Sequence, residues 1–365
     1  MSLKAGIVGL PNVGKSTLFN AITKKDILIA NYPFATIEPN VGIVFVPDDR
    51  LDKMANIYNP KEIKPAMFEF VDIAGIVKGA SKGEGLGNKF LSHIREVDAI
   101  VEVVRCFKEK DITHVDGSID PIRDIETINL ELALADLEIV SNRLDKIKTK
   151  ARTTKEKEVI IECSALEKAK EALEKGTPLR LVEFTDEELF SMKSFNLLTL
   201  KPHIYLANIS EDEITIDNEY VKALKEFAKK ENSEVIVVSA KIESELSELE
   251  DQDKEEMLKD LGIEKSGLDK LIETTYKILG LKTYFTCGPE EVKAWTYKDG
   301  MNAKECAGII HTDFEKGFIK AEVISYNDLI ECGSELKVKE SGKFRIEGKE
   351  YLMQDGDICH FRFNL

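Results

Sequence analysis

The sequence lacks any apolar run of about 18 residues, the length that a membrane-spanning helix needs, so we expect no membrane contact. Its five histidines form no H-x-x-x-H pair, and its six cysteines form no C-x-x-C pair. The sequence therefore offers no common zinc pattern and favours reduced, mostly buried thiols. The first apolar strand begins almost at Met1, so we expect no leader peptide and a cytoplasmic location.

Basic residues are also too few for a general nucleic-acid binder. There are 51 Lys and Arg against 67 Asp and Glu, which gives a net charge of −16 and argues against DNA as a partner. The charge is uneven, however. Residues 143–157 hold seven basic and two acidic residues, and residues 243–260 hold nine acidic residues against two lysines. The basic segment is either an RNA contact or a solvated helix face, and composition does not choose between them.

The 365 residues predict two or three domains, of which the first is α/β. Short apolar segments alternate with helical patterns at 3–8, 41–46, 67–72, 98–105, 203–207 and 234–239. Such strands between amphipathic helices predict a mostly parallel sheet covered on both faces. We expect this domain over 1–280, with helices near 217–231, 243–260 and 266–279.

From about residue 281 the pattern changes to short strands with glycine turns. We predict a small α+β domain over 281–365 with a half-open sheet. Its helix is expected at 302–310, and its strands are expected at 282–286, 292–296, 321–323, 335–337 and 358–363.

A helical insertion is predicted at about 129–200. Six residues spaced four or three apart predict a coiled-coil seam with one polar position: Leu130, Leu134, Leu137, Ser141, Leu144 and Ile147. A second helix is expected to bury Cys163, Leu166, Ala169 and Leu173 and to end before Pro178. Together they predict an antiparallel helical hairpin with the basic segment 143–157 at its tip. That tip is either a docking element for a polyanion or part of an ordinary structural hairpin.

Residues 9–16 read G-x-x-x-x-G-K-S, the pattern of a phosphate-binding loop. The loop follows an apolar strand and precedes a helix, and this context disfavours the alternative of a glycine turn with a stray lysine. Lys15 is expected to reach the β- and γ-phosphates, and the Ser16 hydroxyl is expected to bind Mg²⁺. We assign nucleotide binding to Asn12, Val13, Gly14, Lys15, Ser16 and Thr17.

A nucleoside triphosphatase needs further Mg²⁺ ligands and a group that senses the γ-phosphate. Asp72 ends the third predicted strand, and we expect its carboxylate in the Mg²⁺ shell. Gly75 follows it in the sequence Asp-Ile-Ala-Gly, and its N–H is expected to contact the γ-phosphate. Thr36 precedes the second strand and is expected to join Mg²⁺ when triphosphate is bound. The glycine-rich loop at 75–89 is either a mobile switch or a connection without a role.

The usual water-orienting residue is missing. Small GTPases carry glutamine after the switch glycine, whereas this chain has Ile76. Without that glutamine, three alternatives remain: hydrolysis is slow, another residue orients the attacking water, or the water is supplied in a different way. His114, after the fourth strand, is a candidate to polarise water, and a surface histidine without a role is the alternative. The side-chain carbonyl of Asn12 is a candidate to hold a monovalent cation such as K⁺ near the β- and γ-phosphates. We assign catalysis to His114, Lys15 and Gly75.

The loop after the fifth strand bears on the choice of base. Guanine recognition normally uses N-K-x-D, whose Asp accepts from guanine N–H groups. Residues 208–211 read Asn-Ile-Ser-Glu, so the lysine is absent and the acid is one methylene longer. The guanine clamp is therefore impaired. Residues 142–145 read Asn-Arg-Leu-Asp but lie in the predicted coiled-coil helix, so we discount them. We assign base contacts to Asn208, Ile209, Glu211 and Ser239.

The chain resembles the YchF family of Obg-like ATPases, within the translation-factor class of P-loop NTPases. The resemblance covers essentially the whole chain and rests on residues 9–17, 31–39, 72–80, 208–211, 294–296 and 311–318. It implies ATP in preference to GTP, with Ile209 near adenine. It also implies a C-terminal TGS domain, ribosome binding, and a role for His114 in hydrolysis.

We therefore expect a P-loop ATPase that hydrolyses ATP slowly with Mg²⁺ and binds the ribosome or ribosomal RNA as a nucleotide-dependent switch. Two alternatives stay open. One is an Obg-class GTPase, and the other is a nucleotide-sensing scaffold in which hydrolysis is incidental.

Overall fold

The computed structural model of the protein describes residues 3–24, 40–74, 86–109, 118–153 and 155–364. The chain forms two compact units. The first contains Met1–Ile43 and Glu69–Leu271, and the second contains Val44–Phe68 and Ile272–Leu365. In the described part of the chain, no helix has both the length and the apolar character that crossing a membrane requires.

The strands, in chain order, are β1 (Lys4–Val8), β2 (Val41–Phe45), β3 (Glu62–Lys64), β4 (Met67–Asp72), β5 (Ala99–Arg105), β6 (His203–Asn208), β7 (Glu234–Val238), β8 (Leu281–Cys287), β9 (Glu291–Lys298), β10 (Phe318–Ser325), β11 (Arg345–Glu347) and β12 (Asp357–Phe363). The helices are α1 (Lys15–Lys24), α2 (Arg50–Tyr58), α3 (Leu86–Arg95), α4 (Pro121–Thr153), α5 (Lys157–Glu174), α6 (Asp186–Met192), α7 (Glu219–Lys230), α8 (Ala240–Leu246), α9 (Asp251–Asp260), α10 (Gly267–Ile278), α11 (Ala303–Ile310), α12 (Thr312–Lys316), α13 (Tyr326–Cys332) and α14 (Glu335–Glu340).

The first sheet has the strand order β2-β4-β1-β5-β6-β7. Strand β1 pairs in parallel with β4 and β5, and β5, β6 and β7 continue the parallel ladder. Strands β5 and β6 are buried along their whole length, which explains their nearly continuous apolar sequences. The predicted mostly parallel sheet is therefore confirmed, and it brings the ends of β1, β5 and β6 to the same edge.

The predicted antiparallel hairpin is formed by α4 and α5. Arg143 pairs with Glu162 at 2.5 Å and Lys150 pairs with Glu156 at 3.0 Å, so the helices run in opposite directions. Helix α4 has 33 residues and is therefore about 50 Å long. The hairpin core includes the following buried residues: Val140, Leu144, Ile147, Cys163, Leu166, Ala169 and Leu173.

The predicted seam is correct only in the outer half of α4, the C-terminal half that packs on α5; the inner half is the N-terminal one. Leu130 and Leu134 are 54% and 40% exposed, so these two assignments were wrong. The inner half of α4 buries Ile125, which packs in a cluster with Val104 and Leu224 of the sheet and α7. The inner half thus turns a different face inward from the half that packs on α5.

The second unit has a six-stranded sheet in the order β11-β10-β12-β8-β9-β3. Strand β3 pairs in parallel with β9, so residues 44–68 contribute a strand to this sheet. Helix α2 also belongs to the unit, because Tyr58 donates to Glu335 Oε1 at 2.8 Å and Arg50 donates to Asp355 at 2.8 Å.

Two helix and strand predictions were wrong. Residues 335–337 begin helix α14, because Ser334 accepts a hydrogen bond from Lys337 N and caps the first turn. The predicted helix at 243–260 is two helices, α8 and α9, with residues 247–250 between them. The three-residue strands β3 and β11 were not predicted, because so short a segment shows no periodicity.

Candidate nucleotide-binding site

A cavity of about 890 Å³ opens at the carboxyl ends of the parallel strands of the first unit. Among the residues that the structure describes, its walls come from four segments: 10–17 without Val13, 107–109, 208–212 and 239–241. The first segment follows β1, the second follows β5, and the last two follow β6 and β7. This placement at the strand ends is the usual position of ligands in open α/β sheets.

The phosphate-binding loop ends where α1 begins, at Lys15. Gly14 has φ +94°, and a Cβ there would lie 2.2 Å from Asn208 Nδ2. Only glycine satisfies both the backbone conformation and this close approach. The first N–H groups of α1 have no partner within the helix, so they are available to bind an anion in the cavity. The loop can therefore hold phosphate oxygens with backbone N–H groups and with the positive end of the helix dipole.

Lys15 and Asp72 meet at this loop. Lys15 Nζ donates a hydrogen bond to Asp72 Oδ1. The carboxylate at the end of β4 therefore lies beside Lys15, the residue directly before Ser16. Asp72 N donates to Asn40 O at 2.8 Å, which holds the end of β4 in place. A serine hydroxyl and a carboxylate are hard oxygen donors of the kind that Mg²⁺ prefers. Among the described residues, no group of three or more His, Cys, Asp and Glu could form a metal site of its own.

Asn208 connects the two halves of the cavity. Its Nδ2 donates to Val13 O at 2.8 Å, and its Oδ1 accepts from Ala240 N at 2.9 Å. Asn208 is 4% exposed, so both hydrogen bonds are shielded from water. One buried amide thus fixes the phosphate loop to the 239–241 loop.

The loops after β6 and β7 add both apolar and polar groups to the walls. Ile209 is 3% exposed and begins the loop after β6. Glu211 pairs with Lys241 at 2.6 Å across the cavity mouth. Ser239 Oγ is buried and has no hydrogen-bond partner within the described ranges, although the residue lines the cavity. A buried hydroxyl of this kind is expected to find its partner on a ligand.

The structure brings most of the predicted residues to one cavity. The assigned residues that line it are Asn12, Gly14, Lys15, Ser16, Thr17, Asn208, Ile209, Glu211 and Ser239. Val13 does not line it and is 2% exposed, but its carbonyl oxygen accepts the Asn208 hydrogen bond. Thr36, Gly75, Ile76 and His114 lie outside the described residues.

Sequence reasoning missed residues 107–109, which form the wall after β5. Phe107 is 8% exposed, and Lys108 pairs with Glu219 at 3.0 Å. The strand-end rule that located the other loops also applies to β5, since these residues follow its last residue directly. The rule could therefore have found them, although their types, Phe-Lys-Glu, match no nucleotide-binding pattern.

Both parts of the chain match family models. Residues 4–143 match a model described as a 50S ribosome-binding GTPase. Residues 281–364 match the YchF-GTPase_C model, which is described as a protein of unknown function.

Curated relatives align over the full length of both chains. Proteins named "Ribosome-binding ATPase YchF" are 60% identical in Bacillus subtilis, 55% in Haemophilus influenzae and 50% in Escherichia coli O157:H7, each with 100% of both chains covered. The solved structure of the Schizosaccharomyces pombe YchF GTPase has a TM-score of 0.91 and 42% identity, covering 99% of this chain and 98% of that one. The predicted P-loop α/β fold is thus confirmed, and the chain belongs to the YchF family.

Proposed function

We propose that the protein is an ATPase that binds the ribosome and responds to the nucleotide in its cavity. The observation that carries the proposal is the cavity at the strand ends, with a phosphate-binding loop in one wall and the 208–212 loop in another. The names of the bacterial relatives, which are ribosome-binding ATPases, support the same activity. Because ribosomes are the partner, we place the protein in the cytoplasm.

Different residues of the chain bind the phosphate oxygens and the Mg²⁺ ion. Lys15 and the first N–H groups of α1 hold the phosphate oxygens and offset their charge. Ser16 and Asp72 are the proposed Mg²⁺ ligands in the described residues, and Thr36 is the proposed third. When bound, Mg²⁺ neutralises charge on the β- and γ-phosphates. Asp72, which accepts a hydrogen bond from Lys15 in this structure, would hold the metal with its carboxylate oxygens.

Adenine is the base that the cavity favours. Ile209 occupies the position of the lysine in the guanine motif, and the Glu211 carboxylate is engaged by Lys241 at 2.6 Å. Neither provides the free aspartate that reads guanine N–H groups. The printed names differ on this point, since the fission-yeast protein is called a GTPase and the bacterial relatives ATPases.

Competition binding decides the base. A labelled ATP analogue is displaced from the free protein by ATP and by GTP in Mg²⁺ buffer, and the two inhibition constants are compared. We expect ATP to displace at least about tenfold more effectively. A preference for GTP would instead support an Obg-class GTPase.

Water activation is assigned to residues outside the described ranges. We propose that the Gly75 N–H contacts the γ-phosphate and that His114 polarises the attacking water, since Ile76 cannot. His114→Ala is expected to lower turnover with ATP affinity nearly unchanged, and an unaltered rate would remove the assignment. We further propose that the side-chain carbonyl of Asn12, a residue that lines the cavity, holds K⁺. Equal turnover in potassium and sodium would count against K⁺.

The hairpin tip is the proposed ribosomal contact. Three basic residues of 143–157, namely Lys146, Arg152 and Lys155, have no carboxylate within ion-pair distance in the part of the chain that the structure describes. Cations without an internal partner are available to phosphates of ribosomal RNA. The match of 281–364 to the family's C-terminal model supports a separate domain over 281–365. We propose that this domain is TGS-like and that 1–280 carries the nucleotide domain, although residues 44–68 and 272–280 belong to the second compact unit.

Ribosome co-sedimentation tests the contact. Reversing the three charges is expected to weaken ribosome binding and to make the remaining binding less dependent on salt, because fewer phosphates are neutralised, with ATP affinity unchanged. Lys15→Ala, which disables nucleotide binding, distinguishes the switch from the scaffold. If Lys15→Ala still bound ribosomes normally, the result would support the scaffold alternative over the switch.

A further inference from the structure

Arg105 is a buried charge that none of the proposed steps uses. It is the last residue of β5 and is 1% exposed. In the β5–β6 ladder its register partner is Asn208, the residue that connects the two halves of the cavity. Burying a guanidinium is unfavourable unless nearby groups compensate for the lost water. The contacts of Arg105 therefore indicate what it stabilises.

Several of those contacts lie forward along the chain, in the cavity wall that follows β5, and the buried Asp124 carboxylate of α4 also interacts with Arg105 electrostatically. Arg105 Nε donates to Phe107 O at 3.3 Å, and Nη2 lies 3.5 Å from Glu109 O. The guanidinium carbon lies 4.6 Å from the centroid of the Phe107 ring, within the range of a cation–π contact. One side chain thus holds both the backbone and the aromatic ring of the 107–109 segment.

The segment itself borders the base half of the cavity. The chain leaves the sheet at Cys106, whose N donates to Asn208 O at 2.8 Å and whose O accepts from Asn218 Nδ2 at 2.8 Å. Lys108 then pairs with Glu219 at 3.0 Å. The three anchoring residues are Asn208 at the end of β6, Asn218 just before α7, and Glu219 at the start of α7. They lie on either side of the loop that contains Ile209. They do not belong to the phosphate loop.

We propose that Arg105 is a positioning residue that holds residues 107–109 as the wall of the nucleoside half of the cavity. The inference rests on the proposed function, since it needs a nucleotide in this cavity. Without the guanidinium, two carbonyl oxygens and the Phe107 ring lose their common partner, and the wall loses its fixed position. The phosphate half, held by the Asn208 side chain through Val13 O, keeps its geometry. Arg105 should therefore matter for ATP and not for tripolyphosphate.

The experiment measures dissociation constants for ATP and for inorganic tripolyphosphate, both with Mg²⁺, on the full-length wild type and on Arg105→Met. The substitution keeps an unbranched apolar side chain and removes the donors. We expect ATP affinity to fall at least about tenfold and tripolyphosphate affinity to stay within about twofold. Arg105→Lys keeps the charge but not the planar fork, and an intermediate loss, about threefold, is expected.

Arg180→Met is the matched control. Arg180 is also a mostly buried arginine of the first unit, and its Nη2 donates to Asn129, Tyr205 and Glu231, none of which lines the cavity. We expect this variant to lower the melting temperature and to change neither dissociation constant by more than about twofold below its transition.

Four outcomes overturn the inference or its basis. Wild-type ATP affinity in Arg105→Met would refute the positioning role. Equal losses of ATP and tripolyphosphate affinity would mean that Arg105 supports the whole unit. If Arg105→Met did not fold, Arg105→Lys would carry the test, and no loss of ATP affinity there would refute the role. Failure of the wild type to bind ATP would overturn the proposed function instead.

Discussion

Asn208→Ala is expected to weaken the first unit and its cavity together. The substitution removes the hydrogen bonds to Val13 O and from Ala240 N, at 2.8 and 2.9 Å. Each is worth about 0.5–1.5 kcal/mol net, and a buried N–H left unpaired at Ala240 costs about 1–3 kcal/mol. We therefore expect about 2–4 kcal/mol of lost stability, which corresponds to roughly 5–15 °C in melting temperature for a unit of this size.

The same change should loosen the phosphate loop, because Val13 O loses its partner. We expect ATP affinity to fall by at least about tenfold, measured by calorimetric titration well below the melting transition. Asp136→Ala is the control. Its carboxylate is fully buried and accepts from Leu198 N, Thr199 N and the Thr199 hydroxyl, away from the cavity. That variant should lose stability and keep ATP affinity, and an Asn208→Ala protein with wild-type melting and binding would refute the reasoning.

Three further predictions concern backbone strain, pH and a helix cap. Gly14→Ala should abolish ATP binding, because φ is +94° and the new Cβ would lie 2.2 Å from Asn208 Nδ2; normal binding in a titration would contradict this. Burial raises the pKa of the Glu102 carboxyl, beside His203, well above its ordinary value of 4.5, so the folded protein keeps a proton that the unfolded chain releases above that pH. The difference in unfolding free energy between the wild type and Glu102→Gln should therefore fall by about 1.4 kcal/mol per pH unit above 4.5, until the pH passes the pKa of Glu102 in the folded protein. Urea unfolding of both proteins at several pH values measures this difference, and a constant difference would refute the prediction. Asn302→Ala removes the capping box of α11 and should cost about 1 kcal/mol in urea unfolding of the second unit, so an unchanged midpoint would argue against the cap.

The sequence predicts the parts of this protein that local chemistry determines. The phosphate loop, the strands that precede it and follow it, and the hairpin all have patterns that need no knowledge of their neighbours. The cavity walls from 10–17, 208–212 and 239–241 follow from the rule that ligands bind at strand ends. Residues 107–109 follow the same rule but have no recognisable composition, so the side chain that fixes them, Arg105, is visible only in three dimensions.

The errors arise where a distant partner decides the outcome. Leu130 and Leu134 match the heptad spacing but are exposed, because the inner half of α4 packs on the sheet and α7. Strand β3 has three residues, and it is defined by its pairing with β9, more than 200 residues later in the chain. The membership of 44–68 in the second unit is likewise a tertiary property that no local pattern encodes.

The most direct test of the account is ATP turnover measured with and without saturating ribosomes, in Mg²⁺ and potassium. The account predicts slow turnover by the free protein and a changed rate with ribosomes, because nucleotide and ribosome are linked through the same chain. Lys15→Ala should remove the turnover in both conditions. A rate that ribosomes do not change, although the protein co-sediments with them, would contradict the claim that this ATPase is a ribosome-linked switch.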